Sequence, residues 1–408
     1  MKNIYLFIFA ALLLTSCKHN PYKLKKYKFP NPVDTSTRPI DYQLKKTYEI
    51  GDVSATNEFP AARLNDFTQL NDSTYQVTIN AENAPINTSP WYAFQIWSKQ
   101  PRSVYLKLHY TIHKHRYFPK TSSDGENWER IDSTSISLTP DSVHAILKLD
   151  LTTKPLWVAG QEIQDHRRVG EWVDQWKGNP VVTLGDAGKS VQGRKMYFMN
   201  LSKGSNQNKP TVVVISRQHP PEVTGYLAMR AFIETIIDKG AANGFLEKYR
   251  VLVYPMMNPD GVDLGHFRHN TGGIDLNRDW AKYNQPEIKQ VTSHIVKEAK
   301  KGKNEVVLGL DFHSTHYDVY YTFDETVDRK LPGFTKEWLS RIEKELELDD
   351  INEQPSGLGK PISKGWFFKQ FGAEGIVYEI GDSTPRDFIK TKGEVSAVAM
   401  MDILMKMR

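Results

Sequence analysis

The sequence predicts an α/β fold: a mixed, mostly parallel sheet with helices on both faces, preceded by a small antiparallel β-sandwich domain. Three observations carry this. Short apolar runs without alternation, Val212-Val213-Val214-Ile215, Val251-Leu252-Val253-Tyr254, Val306 to Leu310 and Gly375 to Tyr378, suit strands buried on both faces of a parallel sheet. Helical spacing lies between them, in Leu227, Phe232, Ile233, Ile236 and Ile237, and again from Pro286 and Glu287 through Ile288, Val291, Ile295 and Val296. Earlier in the chain the period changes to two. Tyr75, Val77 and Ile79 alternate with polar residues, as do Val104, Leu106 and Leu108, and Asp124-Gly125 is a turn signal.

Taken in chain order, Met1-Lys2 is a basic start and Ile4 through Leu14 an apolar run. That run is short of the ~20 residues a spanning helix needs, but it suits a signal peptide over residues 1–16. It ends in Leu14-Thr15-Ser16-Cys17, the form of a bacterial lipoprotein signal, and Cys17 is the single cysteine of the chain. The expectation is a lipid on Cys17 and a membrane-anchored protein of the cell envelope. Lys18 after the cysteine favours the outer membrane, facing the periplasm or the cell surface. With one cysteine no disulfide forms within the chain. Residues 17–41, rich in lysine and proline, read as a lipidated tether whose lysines at 18, 23, 25, 26 and 28 suit anionic headgroups or simply solvent.

The β-sandwich is placed at 42–155. Its aromatic stretch, Trp91-Tyr92-Ala93-Phe94-Gln95-Ile96-Trp97, suits a core better than a ligand platform, although a carbohydrate-binding or spacer module is the competing reading. The catalytic domain is placed at 169–408. Gly185 to Arg194 leads into the strand Lys195 to Met199. A length of 408 residues accommodates both domains. The net charge of +5, from 53 basic and 48 acidic residues, is mild for that length; with no nucleic-acid-binding motif it excludes nucleic acid as a partner. A monomer is expected.

The chemistry lies in an ordered set of motifs: His219-Pro220-Pro221-Glu222, Asn258-Pro259-Asp260-Gly261, Arg268, Asp275-Leu276-Asn277-Arg278, Asp311-Phe312-His313 and Tyr378-Glu379. Two neutral imidazoles and a carboxylate suit Zn²⁺, and arginines answer carboxylates and oxyanions. Singly, each has a bland alternative. Twelve histidines make a chance His-x-x-Glu easy to find, Asn-Pro-Asp-Gly is an ordinary turn, and Asp-Leu-Asn-Arg suits a helix cap. His109, His113, His115 and His316 lack such context and read as surface or strand histidines. The order decides, because most motifs follow a strand-like run, where open α/β sheets bind ligands.

This set resembles the zinc carboxypeptidases of the funnelin type, nearest their cytosolic-carboxypeptidase-like branch, over roughly residues 42–405 and most sharply between Val212 and Asp382. The resemblance implies that His219, Glu222 and His313 hold one zinc ion. It implies Asn277 and Arg278 for the substrate carboxylate, Arg268 for the scissile carbonyl and Glu379 as general base toward a zinc-bound water. The implied activity is a metallocarboxypeptidase acting on the C-terminal bond of peptides. Counting back from Glu379 to the family's side-chain pocket gives Lys364, which would favour acidic terminal residues, in line with the deglutamylating members; a solvent-facing loop lysine is the alternative. Asp311 reads as an orienter of a ligand imidazole or as a strand-end cap. One departure is plain: no Tyr lies between Tyr321 and Tyr378, where other members place a mobile tyrosine, which leaves Trp366 or Phe367 for that region. The competing functions are a zinc amidohydrolase acting on peptidoglycan stem peptides or other amide-linked conjugates, and a non-catalytic binding lipoprotein. Cell-wall peptides join ordinary peptides as candidate substrates.

Overall fold

A computed structural model describes residues 20–407. The signal peptide and Cys17 lie outside the described residues. The larger sheet has eight strands in the order Val182–Lys189, Lys195–Leu201, Arg250–Tyr254, Pro210–Ser216, Glu305–Thr315, Glu374–Gly381, Val319–Thr322 and Glu353–Pro355. Its centre, from Arg250–Tyr254 to Glu374–Gly381, is parallel; the hairpin at one edge and Val319–Thr322 at the other run antiparallel to their inner neighbours.

The unalternated apolar runs are explained by what covers each face. Val212 and Val214 join one core with helices Val223–Ala242, Phe334–Glu345 and Arg386–Met407. Val213 and Ile215 join another with helices Pro286–Gly302 and Ser363–Phe371. A strand with apolar neighbours above and below has no polar phase, so period two vanishes from its sequence. Trp366 and Phe367, left at sequence level for the missing tyrosine, are fully buried in the second core beside Trp280. They do not reach the substrate side.

Ahead of this stand two sheets, of six and five strands, packed on one core and running from Thr47 to Ala159. Every pair is antiparallel except Thr74–Ile79 with Arg102–Tyr110. Trp91, Tyr92 and Phe94 are buried in that core, as an apolar interior requires. The last strand, Leu156–Ala159, extends the sandwich past residue 155.

The segment 20–41 is not a free tether. It has no regular secondary structure, which is why its composition reads as a linker. Yet Phe29 and Thr35 are buried, the Tyr27 hydroxyl donates to Gln370 Oε1 at 2.7 Å, and the Thr35 hydroxyl donates to Asp279 Oδ1 at 2.5 Å. Its backbone pairs with catalytic-domain loops, Asn31 N to Gly359 O at 2.9 Å and Arg38 N to Gly272 O at 2.8 Å. Among the described residues no helix is long and apolar enough to cross a membrane.

One close approach sets the site. Helix Val223–Ala242 begins directly after Glu222, and its Gly225 lies so near the His313 strand that a Cβ there would sit 2.1 Å from the His313 carbonyl oxygen. Gly225→Ala should therefore separate the two elements that carry Glu222 and His313, the residues expected from the sequence to hold zinc. Overpacking of this kind costs about 1–3 kcal/mol; a fall in thermal midpoint together with weaker zinc retention is expected, and an unchanged Kd for zinc would count against it.

Candidate active site

The site forms where the parallel strands end. The strand Pro210–Ser216 stops just before His219, and the tight 217–222 turn delivers His219 and Glu222 to the same point. His313 and Glu379 are register partners on adjacent parallel strands, so pleating puts both side chains on one side. The strand order thus converts residues far apart in sequence into neighbours.

His219 Nδ1 lies 2.8 Å from one Glu222 oxygen, and His313 Nδ1 2.6 Å from the other. The far nitrogens are also held, His219 Nε2 by Asp275 at 2.8 Å and His313 Nε2 by Asp311 at 2.9 Å. With a proton on each Nε2 facing its carboxylate, both Nδ1 lone pairs would be free to bind a metal ion beside Glu222, which is how ligand histidines are oriented. Asp311 is thereby an orienting partner of the imidazole, further fixed by Gln218 Nε2 and the Ser363 hydroxyl. The three ligand atoms lie within 4.8 Å of one another, and the residues are 1–5 % exposed.

The electrostatics ask for a cation. Burial alone would raise the Glu222 carboxyl, but His219 and His313 outweigh it and hold the group well below the carboxylate range. Burial would depress the His313 imidazolium, but Asp311 and Glu222 outweigh it and hold it well above its ordinary value. Carboxylates gathered around two imidazoles demand positive charge between them, which protons or one divalent ion can meet. Two nitrogens and a carboxylate are the donor set of a catalytic zinc site with an open position, so the residues fit zinc.

The remaining groups face a cleft of about 1170 Å³, lined among others by Arg268, Asn277, Arg278, Tyr321 and Glu379. Burial pushes the Glu379 carboxyl up to about 7, against the pull of His313. Arg268 Nε donates to Asp275 Oδ2 at 2.8 Å, and Asp275 thus joins the His219 ring to the Arg268 guanidinium. Arg278 Nη1 donates to the Asn277 carbonyl, and its side chain stays part-exposed at the cleft. The Asn277 amide is aligned by Ser363 N, which donates to its Oδ1 at 2.9 Å. The Asn258-Pro259-Asp260-Gly261 turn is structural: Asn258 caps the short Pro259–Asp263 helix, and Asp260 accepts from the Ser190 hydroxyl and Arg194.

Lys364 is among the residues that line the cleft, but its ammonium is engaged by the protein itself. It is buried in the first turn of helix Ser363–Phe371, and its ammonium donates to the Thr322 carbonyl and to the carbonyl and hydroxyl of Ser356. Its three N–H groups are spent there, and burial pushes it down to about 8. It ties the 354–360 cleft wall to a strand end.

Sequence reasoning also missed cleft residues. Arg116, from the β-sandwich, is anchored by Asp382 at 2.8 Å and by the Thr88 carbonyl at 2.7 Å. Tyr321 lies opposite Val377, two residues before Glu379, on the strand beside it. Burial and the Glu379 carboxyl push its phenol up. His316, set aside at sequence level, also lines the cleft. The β-domain residues carried no local signal; Tyr321 was legible as the last tyrosine before the gap.

Residues 171–356 match the model of the zinc carboxypeptidase family, Peptidase_M14. Among curated proteins, the chain is 31% identical over 137 residues to human cytosolic carboxypeptidase 6, covering 31% of this chain and 27% of that protein. It is 32% identical over 133 residues to zebrafish (Danio rerio) cytosolic carboxypeptidase 2, covering 31% and 18%. An uncharacterized Zymomonas mobilis protein, ZMO1242, is 34% identical over 115 residues, covering 27% and 29%. The chain thus spans less than a third of the curated relatives it matches. Among solved structures, a metallo-carboxypeptidase from Burkholderia cenocepacia superposes with a TM-score of 0.72 at 17% identity, over 87% of this chain and 100% of that one. Another from Pseudomonas aeruginosa gives 0.69 at 18%, over 87% and 100%. Both cover sandwich and catalytic sheet together, so the two-domain fold is shared. The family match and the His-Glu-His cluster together support a zinc hydrolase.

Proposed function

We propose that this protein is a zinc-dependent metallocarboxypeptidase that removes C-terminal residues from peptides. The observation that carries the reading is the pair of imidazole Nδ1 atoms converging on the two Glu222 oxygens, beside Glu379 and two cleft arginines. His219, Glu222 and His313 would hold zinc, which supplies a Lewis acid and an acidified water at neutral pH. Glu379 takes a proton from the attacking water and returns it to the departing nitrogen as the C–N bond breaks. Arg268 donates to the carbonyl oxygen as it becomes an oxyanion. Arg278, with Asn277 beside it, pairs with the terminal carboxylate, and that clamp confines cleavage to the last bond.

An acidic preference at the terminal residue belongs to the same proposal. Its support is the cleft's cationic lining, Arg116 and Lys360 beside the two arginines of the site; the ammonium of Lys364 is already spent. The test is a peptide library differing only at the C-terminal residue, read by mass spectrometry. Single-residue shortening, fastest for Glu or Asp, is expected. Equal rates for all termini would remove the acidic preference. Turnover confined to γ-linked or D-residue substrates would instead select the amidohydrolase.

A further inference from the structure

We propose that Glu82 of the β-sandwich is a positioning residue that holds the backbone carrying Arg268 in its working place. The inference rests on the carboxypeptidase reading of the site, because it assigns Glu82 a role in the work of Arg268.

The geometry is a buried carboxylate filling a concave nest of successive backbone amides. Glu82 is fully buried, and accepts from Phe267 N at 2.7 Å, Arg268 N at 2.9 Å and His269 N at 2.7 Å. Consecutive N–H groups pointing at one spot make an anion site, and here the anion belongs to another domain. Other sandwich residues grip this segment and the chain just before it. Arg63 Nε donates to the Gly265 carbonyl at 2.7 Å, Asn83 Oδ1 lies 2.7 Å from His269 Nδ1, and Ala61 N donates to the Asp263 carbonyl at 2.8 Å. The Phe267 side chain is buried in the sandwich core itself. Thus the 265–269 segment belongs to the catalytic domain by sequence and to the sandwich by packing.

On the other side of this segment the Arg268 side chain turns to Asp275 and the cleft. A guanidinium that meets an oxyanion must be placed closely, since a displacement of about 1 Å can cost on the order of 100-fold in rate. The sandwich therefore acts as part of the catalytic frame and not as a spacer.

The test is Glu82→Gln in the full chain, alone and combined with Arg268→Ala. Gln keeps the shape but sets an amide N–H against a backbone N–H. The expected result is a kcat about 10- to 100-fold lower. KM should stay within about threefold, as for an interaction made in the transition state. Zinc content should be unchanged, and Glu82→Gln should cost nothing further once Arg268 is gone. A full additional loss in the Arg268→Ala background, unchanged kcat, or a loss matched by lost zinc overturns the proposal. If Glu82→Gln does not fold, Glu82→Asp, which keeps the charge and withdraws the oxygens by one methylene, is measured in the same cycle. Hydrogen exchange separates this proposal from the carboxypeptidase reading. A wild type inactive on every peptide sinks that reading, while exchange at the 267–269 amides of Glu82→Gln still reports on the nest: faster exchange there, with strand 305–315 unchanged, supports it, and unchanged exchange overturns it.

Discussion

Glu379→Gln should leave the protein folded and zinc-loaded while lowering kcat by about 10²–10⁴-fold, the range for loss of a positioned general base. The fold is expected to tolerate the change because burial already works against the charged carboxyl, pushing it up to about 7. A neutral isostere removes that conflict. Zinc should stay because Glu379 is not among the three clustered ligands. Its place beside His313 is set by strand register, and Gln fits the same register. The measurement is kcat with zinc content determined on the same samples. A variant that retains full activity would mean that the proton moves through another group, with Tyr321 a candidate in the cleft.

The second large effect concerns Arg268. Arg268→Ala should lower kcat by about 10²–10³-fold, the loss seen when one oxyanion donor is removed, with a smaller change in KM. Here the guanidinium also has a neighbour to leave exposed. Burial works against its charge, but Asp275 and Glu222 outweigh that and keep it protonated. Asp275 in turn holds His219 Nε2. Removing Arg268 strips Asp275 of its nearest cation, so somewhat tighter zinc binding is expected alongside the lost rate. Loss of zinc in this variant would show instead that Arg268 builds the metal site.

The legible and illegible parts of the molecule divide along physical lines. Strands such as Pro210–Ser216 and Glu305–Thr315 were legible because burial on both faces leaves an uninterrupted apolar run. The His219, Glu222 and His313 cluster was legible because its members follow such runs, and chain order at strand ends maps directly onto space. Glu82 and Arg116 were not. Their catalytic-domain partners lie 185 to 187 and 266 residues away, and a contact of that span leaves no periodicity in either segment. The segment 20–41 was misread for a related reason: lysines and prolines advertise a linker, while the anchoring came from Tyr27, Phe29 and backbone groups pairing with distant loops. Lys364 was found by counting, and counting fixes where a Cα lies but not where a long side chain ends. Its ammonium reaches Thr322 and Ser356.

The central claim is that a zinc centre built from His219, Glu222 and His313 works on a substrate end held by Arg278. Two peptides of one sequence, one ending in a free carboxylate and the other in an amide, test it most directly when incubated with the full chain in metal-stripped and zinc-restored forms. The account predicts that the free acid loses its last residue only in the zinc-restored sample and that the amide stays intact. Equal shortening of the amide, internal cleavage, or undiminished turnover after the metal is stripped would contradict it.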